Sequence, residues 1–145
     1  MLSFQRGYGG GLENLMYKYF LILLGTTQSI IAVAEFISPL RSFLIWRMWI
    51  LNRFFPIHGV ALIFIGLPLT LYNGYLSGVI FFIGLVVVFT GPFILIYPEK
   101  IRKALNNSGD TFKDNEIKII IFLDAFLRIC TGFIFMISSW KTFFN

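Results

Sequence analysis

Between Phe54 and Pro98 the chain carries no Asp, Glu, Lys or Arg, a run of about 45 residues. One helix needs about 20 apolar residues to cross a bilayer, so this run is long enough for two crossings. It also contains a break. Leu71-Tyr72-Asn73-Gly74-Tyr75 places an Asn-Gly pair, which favours a tight turn, between two apolar halves. The run reads as a membrane hairpin, and the rest of the chain as what flanks it.

Composition agrees. Hydrophobic residues make up 57% and charged residues 13% of the chain, and the mean hydropathy is +0.81. A soluble domain carries about 25% charged residues, and a fold of this length could not cover so much apolar surface with so few. The expected class is an all-α integral membrane protein forming one domain. The net charge of +5 could suggest nucleic acid, but the basic residues sit beside the apolar segments, as topology determinants do. Nucleic acid is therefore not an expected partner. The single cysteine, Cys130, excludes an internal disulfide.

The expected organisation is a four-helix bundle of two helical hairpins. Its crossings lie at 17–37, 55–72, 75–97 and 117–140, after a Gly-rich flexible tail at 1–13. A short interfacial segment at 40–52 carries Trp46 and Trp49 beside arginines, the composition of a helix lying at headgroup level. A polar loop fills 99–116. Pro39 should end the first crossing and Pro56 suits a first helical turn. Pro68 and Gly91-Pro92 should bend their helices. Thr111 with Asp114 has capping-box spacing for the last helix. Gly25 with Ser29, and Gly74 with Gly78, have the small-xxx-small spacing that lets helices approach closely. Asn106-Asn107-Ser108 matches a glycosylation sequon, on the side where it would not be used.

Two signals set the orientation. The loops at 38–53 and 99–118 hold eight basic residues: Arg41, Arg47, Arg53, Lys100, Arg102, Lys103, Lys113 and Lys118. The opposite side holds Arg6, Lys18 and Lys141. The positive-inside rule puts both loops in the cytoplasm or matrix. The aromatics fall at the same two levels: Tyr17, Tyr19, Tyr72, Tyr75 and Trp140 at one, Trp46, Trp49 and Tyr97 at the other. The expected location is a mitochondrial inner membrane or a bacterial plasma membrane. Each half also reads helix, proline, basic segment, helix, which suggests a parallel repeat.

Charged residues inside the expected crossings are the candidate site. Asp124 and Arg128 lie four apart, on one face of the last helix. Glu35, Arg53 and His58 reach the same leaflet, so the five are expected to form one buried polar cluster. Such groups mark function by default, although an ion-pair network that locks helices is the plainer reading. Gln28 in the first crossing can serve as packing glue or line a path. Arg41, Arg47, Lys100, Arg102 and Lys103 are expected at anionic lipid headgroups. No catalytic set, phosphate loop or metal-ligand pattern stands out, and a lone His58 and Cys130 suit neither metal nor haem. No enzyme activity and no cofactor are expected.

The stretch Gly91-Pro92-Phe93-Ile94-Leu95-Ile96-Tyr97-Pro98-Glu99-Lys100-Ile101-Arg102-Lys103, followed by Leu127-Arg128-Ile129 and Gly132, resembles the YjeT-type small inner-membrane proteins. Those have two helices, a Gly- and Pro-bearing end to the first and a Leu-Arg start to the second. The resemblance covers residues 75–140 and leaves the first half without a counterpart. It implies the hairpin and a place for Arg128 near a helix start, and no activity. The expected function is that of a non-catalytic accessory subunit of a larger membrane complex, such as a respiratory one, with other membrane subunits and lipids as partners. A small oligomeric transporter or channel and a lipid-binding scaffold are the alternatives.

Overall fold

The computed structural model describes residues 9–144. Six helices follow one another: α1 (Gly9–Ile37), α2 (Pro39–Leu51), α3 (Phe55–Leu71), α4 (Ser77–Ile96), α5 (Pro98–Thr111) and α6 (Asp114–Phe144). No strand occurs among the described residues. By length and composition α1, α4 and α6 can each cross a membrane. α3 is as apolar but has 17 residues. It meets α2 at a 100° bend.

Prolines set several of these boundaries, because they lack the N–H a helix interior needs but fit its first turn. Pro39 and Pro98 open α2 and α5, and Pro56 sits in the first turn of α3. Pro68 and Pro92 lie inside α3 and α4, which continue beyond them to Leu71 and Ile96. The turn between α3 and α4 needs a left-handed residue, and Leu76 takes it, with φ 59°. Gly74 and Asn73 do not.

The long helices pair antiparallel, but not as two hairpins. α3 packs on α4 as expected, whereas α1 closes onto α6, the other end of the chain. This is the pairing that exchanging two halves would give: the first helix of each half packs on the last helix of the other, and α2 touches α5. Each long helix buries one stripe with small residues seven apart: Gly25 and Ala32 on α1, Gly59 and Gly66 on α3, Gly84 and Gly91 on α4, Ala125, Gly132 and Ser139 on α6. Seven residues return to within about 20° on a helix, so each stripe is a flat seam that admits a close neighbour. A Cβ added at Gly25 would lie 2.9 Å from the Gly132 carbonyl oxygen, and one at Gly59 would lie 2.6 Å from that of Gly91.

Three expectations change. The segment expected as a polar loop at 99–116 is mostly α5, polar but helical, with Ile101 and Leu105 half-buried. Its strong amphipathicity lets one face pack while the other stays in water. The first helix begins at Gly9, so residues 9–13 belong to α1; residues 1–8 of the expected tail lie outside the described residues. The last helix is capped by Glu116, whose carboxylate accepts the Lys113 N–H at 3.0 Å. Thr111 instead donates to the Asn107 carbonyl at the end of α5.

Candidate functional site: a polar cluster between α1, α2 and α6

The close approach at Gly25 and Gly132 brings the facing seams of α1 and α6 into register. Continuing along α1 from Gly25, the same face presents Gln28 and then Glu35. On α6 it presents Arg128 and then Asp124, one turn apart. The helical path breaks at Ser38, and α2 packs against both α1 and α6, which delivers Trp46 to this end.

Arg128 is the hub. Its Nε donates to Asp124 Oδ2 at 2.8 Å and its Nη1 to Gln28 Oε1 at 3.0 Å. Its Nε also lies 3.4 Å from Glu35 Oε1. Its guanidinium carbon sits 5.1 Å from the Trp46 ring centroid, a cation–π distance. Trp46 Nε1 in turn donates to Glu35 Oε1 at 2.9 Å. Glu35 Oε1 therefore faces two positive edges. Glu35 is 1% exposed, and its other oxygen, Oε2, is buried with no hydrogen-bond partner. Asp124 is the wetter carboxylate, its side chain 41% exposed.

Of the five residues expected to cluster, Glu35, Asp124 and Arg128 come together. Arg53 does not: it is exposed in the turn after α2, with its guanidinium 4.7 Å over the Phe54 ring. His58 packs edge-on to Trp49 and stacks with Phe55, at centroid distances of 6.3 and 6.4 Å. Arg53 lies in the turn between α2 and α3, and His58, in the first turn of α3, takes its ring contacts from Trp49 and Phe55 rather than from the cluster. Sequence reasoning missed Trp46 as a member of the cluster, because an interfacial tryptophan is expected at headgroup level. Gln28 joins it as the hydrogen-bonding residue its mid-helix position suggests.

The basic residues expected at lipid headgroups separate. Arg41 and Lys103 are exposed and Arg47 is half-buried. Lys100 covers the Tyr97 ring at 4.6 Å. Arg102 is a strut: its Nε donates to the Ile50 carbonyl at 3.2 Å, its Nη2 to the Asn52 carbonyl at 2.8 Å, and it pairs with Glu99. The last carbonyls of a helix have no internal partners, so Arg102 satisfies the end of α2 from α5.

The four residues named for packing also divide. Gly25 and Ser29 sit in the α1–α6 contact, where Ser29 Oγ donates to the Gly25 carbonyl at 2.9 Å. Gly74 is crowded by the Tyr72 hydroxyl. Gly78 faces open space, with nothing within 4 Å of an added Cβ. The GxxxG spacing there does not mark a contact.

A second polar group ties the two helix pairs together at the opposite end. The Tyr72 hydroxyl lies 2.9 Å from Ser138 Oγ and 2.7 Å from Thr142 Oγ1. Ser138 also donates to the Tyr75 carbonyl, and the Tyr75 N–H donates to Thr142 Oγ1 at 3.2 Å. Lys141 covers the Tyr75 ring at 4.5 Å. Below these bonds Leu21, Leu69, Ile80 and Phe135 form a buried core drawn from all four long helices. The i, i+4 pair Ser138 and Thr142 was the available signal for this group.

No protein-family model, no curated protein and no solved structure matches the chain.

Proposed function

We propose that α1, α3, α4 and α6 cross a membrane, with α2 and α5 at one surface, and that the protein is a non-catalytic structural subunit of a larger membrane complex. One observation carries this reading. Arg128 spends its Nε and Nη1 on Asp124 and Gln28 of the same molecule, while the outward faces of the long helices carry large apolar side chains. Phe64, Phe82 and Phe89 are each about 70% exposed. Polar groups that lock helices and apolar faces turned outward suit a part that packs among lipids and other subunits. The pairing of Lys100 with Tyr97 and of Lys141 with Tyr75 supports the two interface levels, where aromatic rings and basic side chains collect. The test is mild-detergent purification of the tagged chain from its native membrane. A partner protein in fixed stoichiometry is expected. A monodisperse, partner-free monomer overturns the reading.

A second reading, lipid binding, is favoured by a cleft of about 350 Å³ between α2, α3, α4 and α5, lined by Trp46, Phe55, Phe93 and Ile101. It is almost wholly apolar, and Lys100 borders the adjoining hollow beside Ile101. An acyl chain in the cleft with an anionic headgroup near Lys100 matches that chemistry. Native mass spectrometry should retain anionic lipid over zwitterionic lipid. Equal retention, or equal loss in Lys100→Gln, counts against it.

A further inference from the structure

Two carboxylates and one guanidinium make up the charged part of the cluster. With Glu35 and Asp124 both ionised, the group would hold one excess negative charge in the interior. The groups facing Glu35 are Arg128 and Asp124 from α6 and Trp46 from α2. On α3, His58 packs against Trp49 and Phe55. Arg128 is already committed to Asp124 and Gln28 through its closest contacts. Glu35 Oε1 has the Trp46 N–H, whereas Oε2 has nothing, at 1% exposure. A buried carboxylate oxygen without a donor is costly, and two carboxylates that share a site do not both ionise readily. The two carboxylates approach the same guanidinium nitrogen: Arg128 Nε lies 2.8 Å from Asp124 Oδ2 and 3.4 Å from Glu35 Oε1. The counter-charge that fits a single fully buried carboxylate oxygen is a proton.

We propose that Glu35 binds a proton inside the molecule: a neutral carboxyl with its hydroxyl at Oε2, facing the Asp124 carboxylate that Arg128 balances. The cluster is then neutral overall. Its ligand is an exchangeable hydrogen ion, and Asp124, its side chain 41% exposed, is the carboxylate of the two that meets solvent.

Infrared spectroscopy of the full chain in lipid nanodiscs at neutral pH tests this. The carbonyl stretch of a protonated carboxyl in apolar surroundings stands apart from the carboxylate bands and shifts in heavy water. The wild-type protein should show that band, and Glu35→Gln should lack it. Carbon-13 labelling of glutamate should shift the band, and labelling of aspartate should not. The labelling needs no variant to fold, and the other glutamates, Glu13, Glu99 and Glu116, are exposed. Absence of the band from the wild type overturns the proposal. So does a band that survives Glu35→Gln, or one that follows aspartate labelling and disappears in Asp124→Asn.

Discussion

The α1–α6 and α3–α4 pairs use the same backbone device and different adhesives. Both are antiparallel, and both bring small residues on facing seams to carbonyl contact. Between α3 and α4 that is almost the whole story: Gly59 meets Gly91, Gly66 meets Gly84 and Val88, and Ile80, Leu69 and Ile94 fill the rest. Neither α3 nor α4 contains a charged residue. Between α1 and α6 the glycine contact is a single crossing, flanked at one end by the Arg128 cluster and at the other by Ser139, which donates to the Lys18 carbonyl at 3.1 Å. The α3–α4 pair is joined by a short turn and starts with its helices side by side. α1 and α6 are separated by the whole chain between them and have no such tether. Directional polar contacts specify a partner and a register where apolar contact alone does not. The charged groups therefore fall on the pair whose association the chain connection does not enforce.

The sharpest way to break this contrast is to remove the hub. Arg128→Leu leaves Asp124 without its cation and strips Gln28 of its donor. Breaking a buried pair from one side costs about 3–5 kcal/mol. Asp124 keeps some water, so a loss near 3 kcal/mol is expected, read from unfolding in detergent. Adding Asp124→Asn to Arg128→Leu should recover most of it. An unchanged midpoint in Arg128→Leu would mean that the cluster does not hold α1 to α6.

On the other pair the comparable lesion is one methyl group. At Gly59 the added carbon meets the Gly91 backbone, which cannot rotate away as a side chain can, so Gly59→Ala must push α3 from α4. Overpacking of this kind costs about 1–3 kcal/mol. Gly78→Ala, which faces open space, should lose nothing and can gain up to about 1 kcal/mol of helix propensity. Equal destabilisation by the two changes would refute the seam.

Much of this contrast was written in the sequence at a spacing that a search for small residues four apart passes over. The all-helical class and the long apolar helices follow from composition and the charge-free run. The pair Asp124 and Arg128 follows from i, i+4 geometry. Glycines seven apart, at 59 and 66 and again at 84 and 91, carried the α3–α4 contact, whereas Gly74 and Gly78 drew attention to a face that touches nothing. The partner of α1 was not legible. No local pattern says whether Gly25 meets α3 or α6, because that choice depends on contacts about a hundred residues apart. Trp46 was lost for a related reason. Its place beside Glu35 follows from the break at Ser38 and the packing of α2 against α1 and α6, which a headgroup-level reading of α2 does not include.

The junction between the two pairs offers a smaller test. Tyr72→Phe keeps the ring against Tyr17, whose centroid lies 5.7 Å away. It removes the hydroxyl shared with Ser138 and Thr142. A hydrogen bond of this kind contributes about 0.5–1.5 kcal/mol net, so a loss near 1 kcal/mol is expected. A double-mutant cycle with Thr142→Val should show coupling between the two positions, because they share that bond. Additive effects would mean that the α3–α4 turn is not docked on α6 through these hydroxyls.

The smallest effect is expected at Arg102, which joins neither pair but ties α5 to the end of α2. Arg102→Met preserves much of the apolar stem, which can still lie along the helix surface. It removes the two donors to the Ile50 and Asn52 carbonyls. Those carbonyls are at an exposed helix end and can turn to water, so global stability should fall by about 0.5 kcal/mol or less, within the range of ordinary surface changes. The local consequence is larger than the global one. Among its described side chains α5 has none fully buried, with Pro98, Ile101 and Leu105 half-buried besides Arg102 itself, and segments with few buried contacts open locally before the whole molecule does. Amide hydrogen exchange across α5 should therefore accelerate in Arg102→Met while exchange in α1 and α6 stays unchanged. If exchange in α5 is unaltered, Arg102 is a surface arginine at headgroup level, and the polar segment after α4 is held by its own apolar face alone.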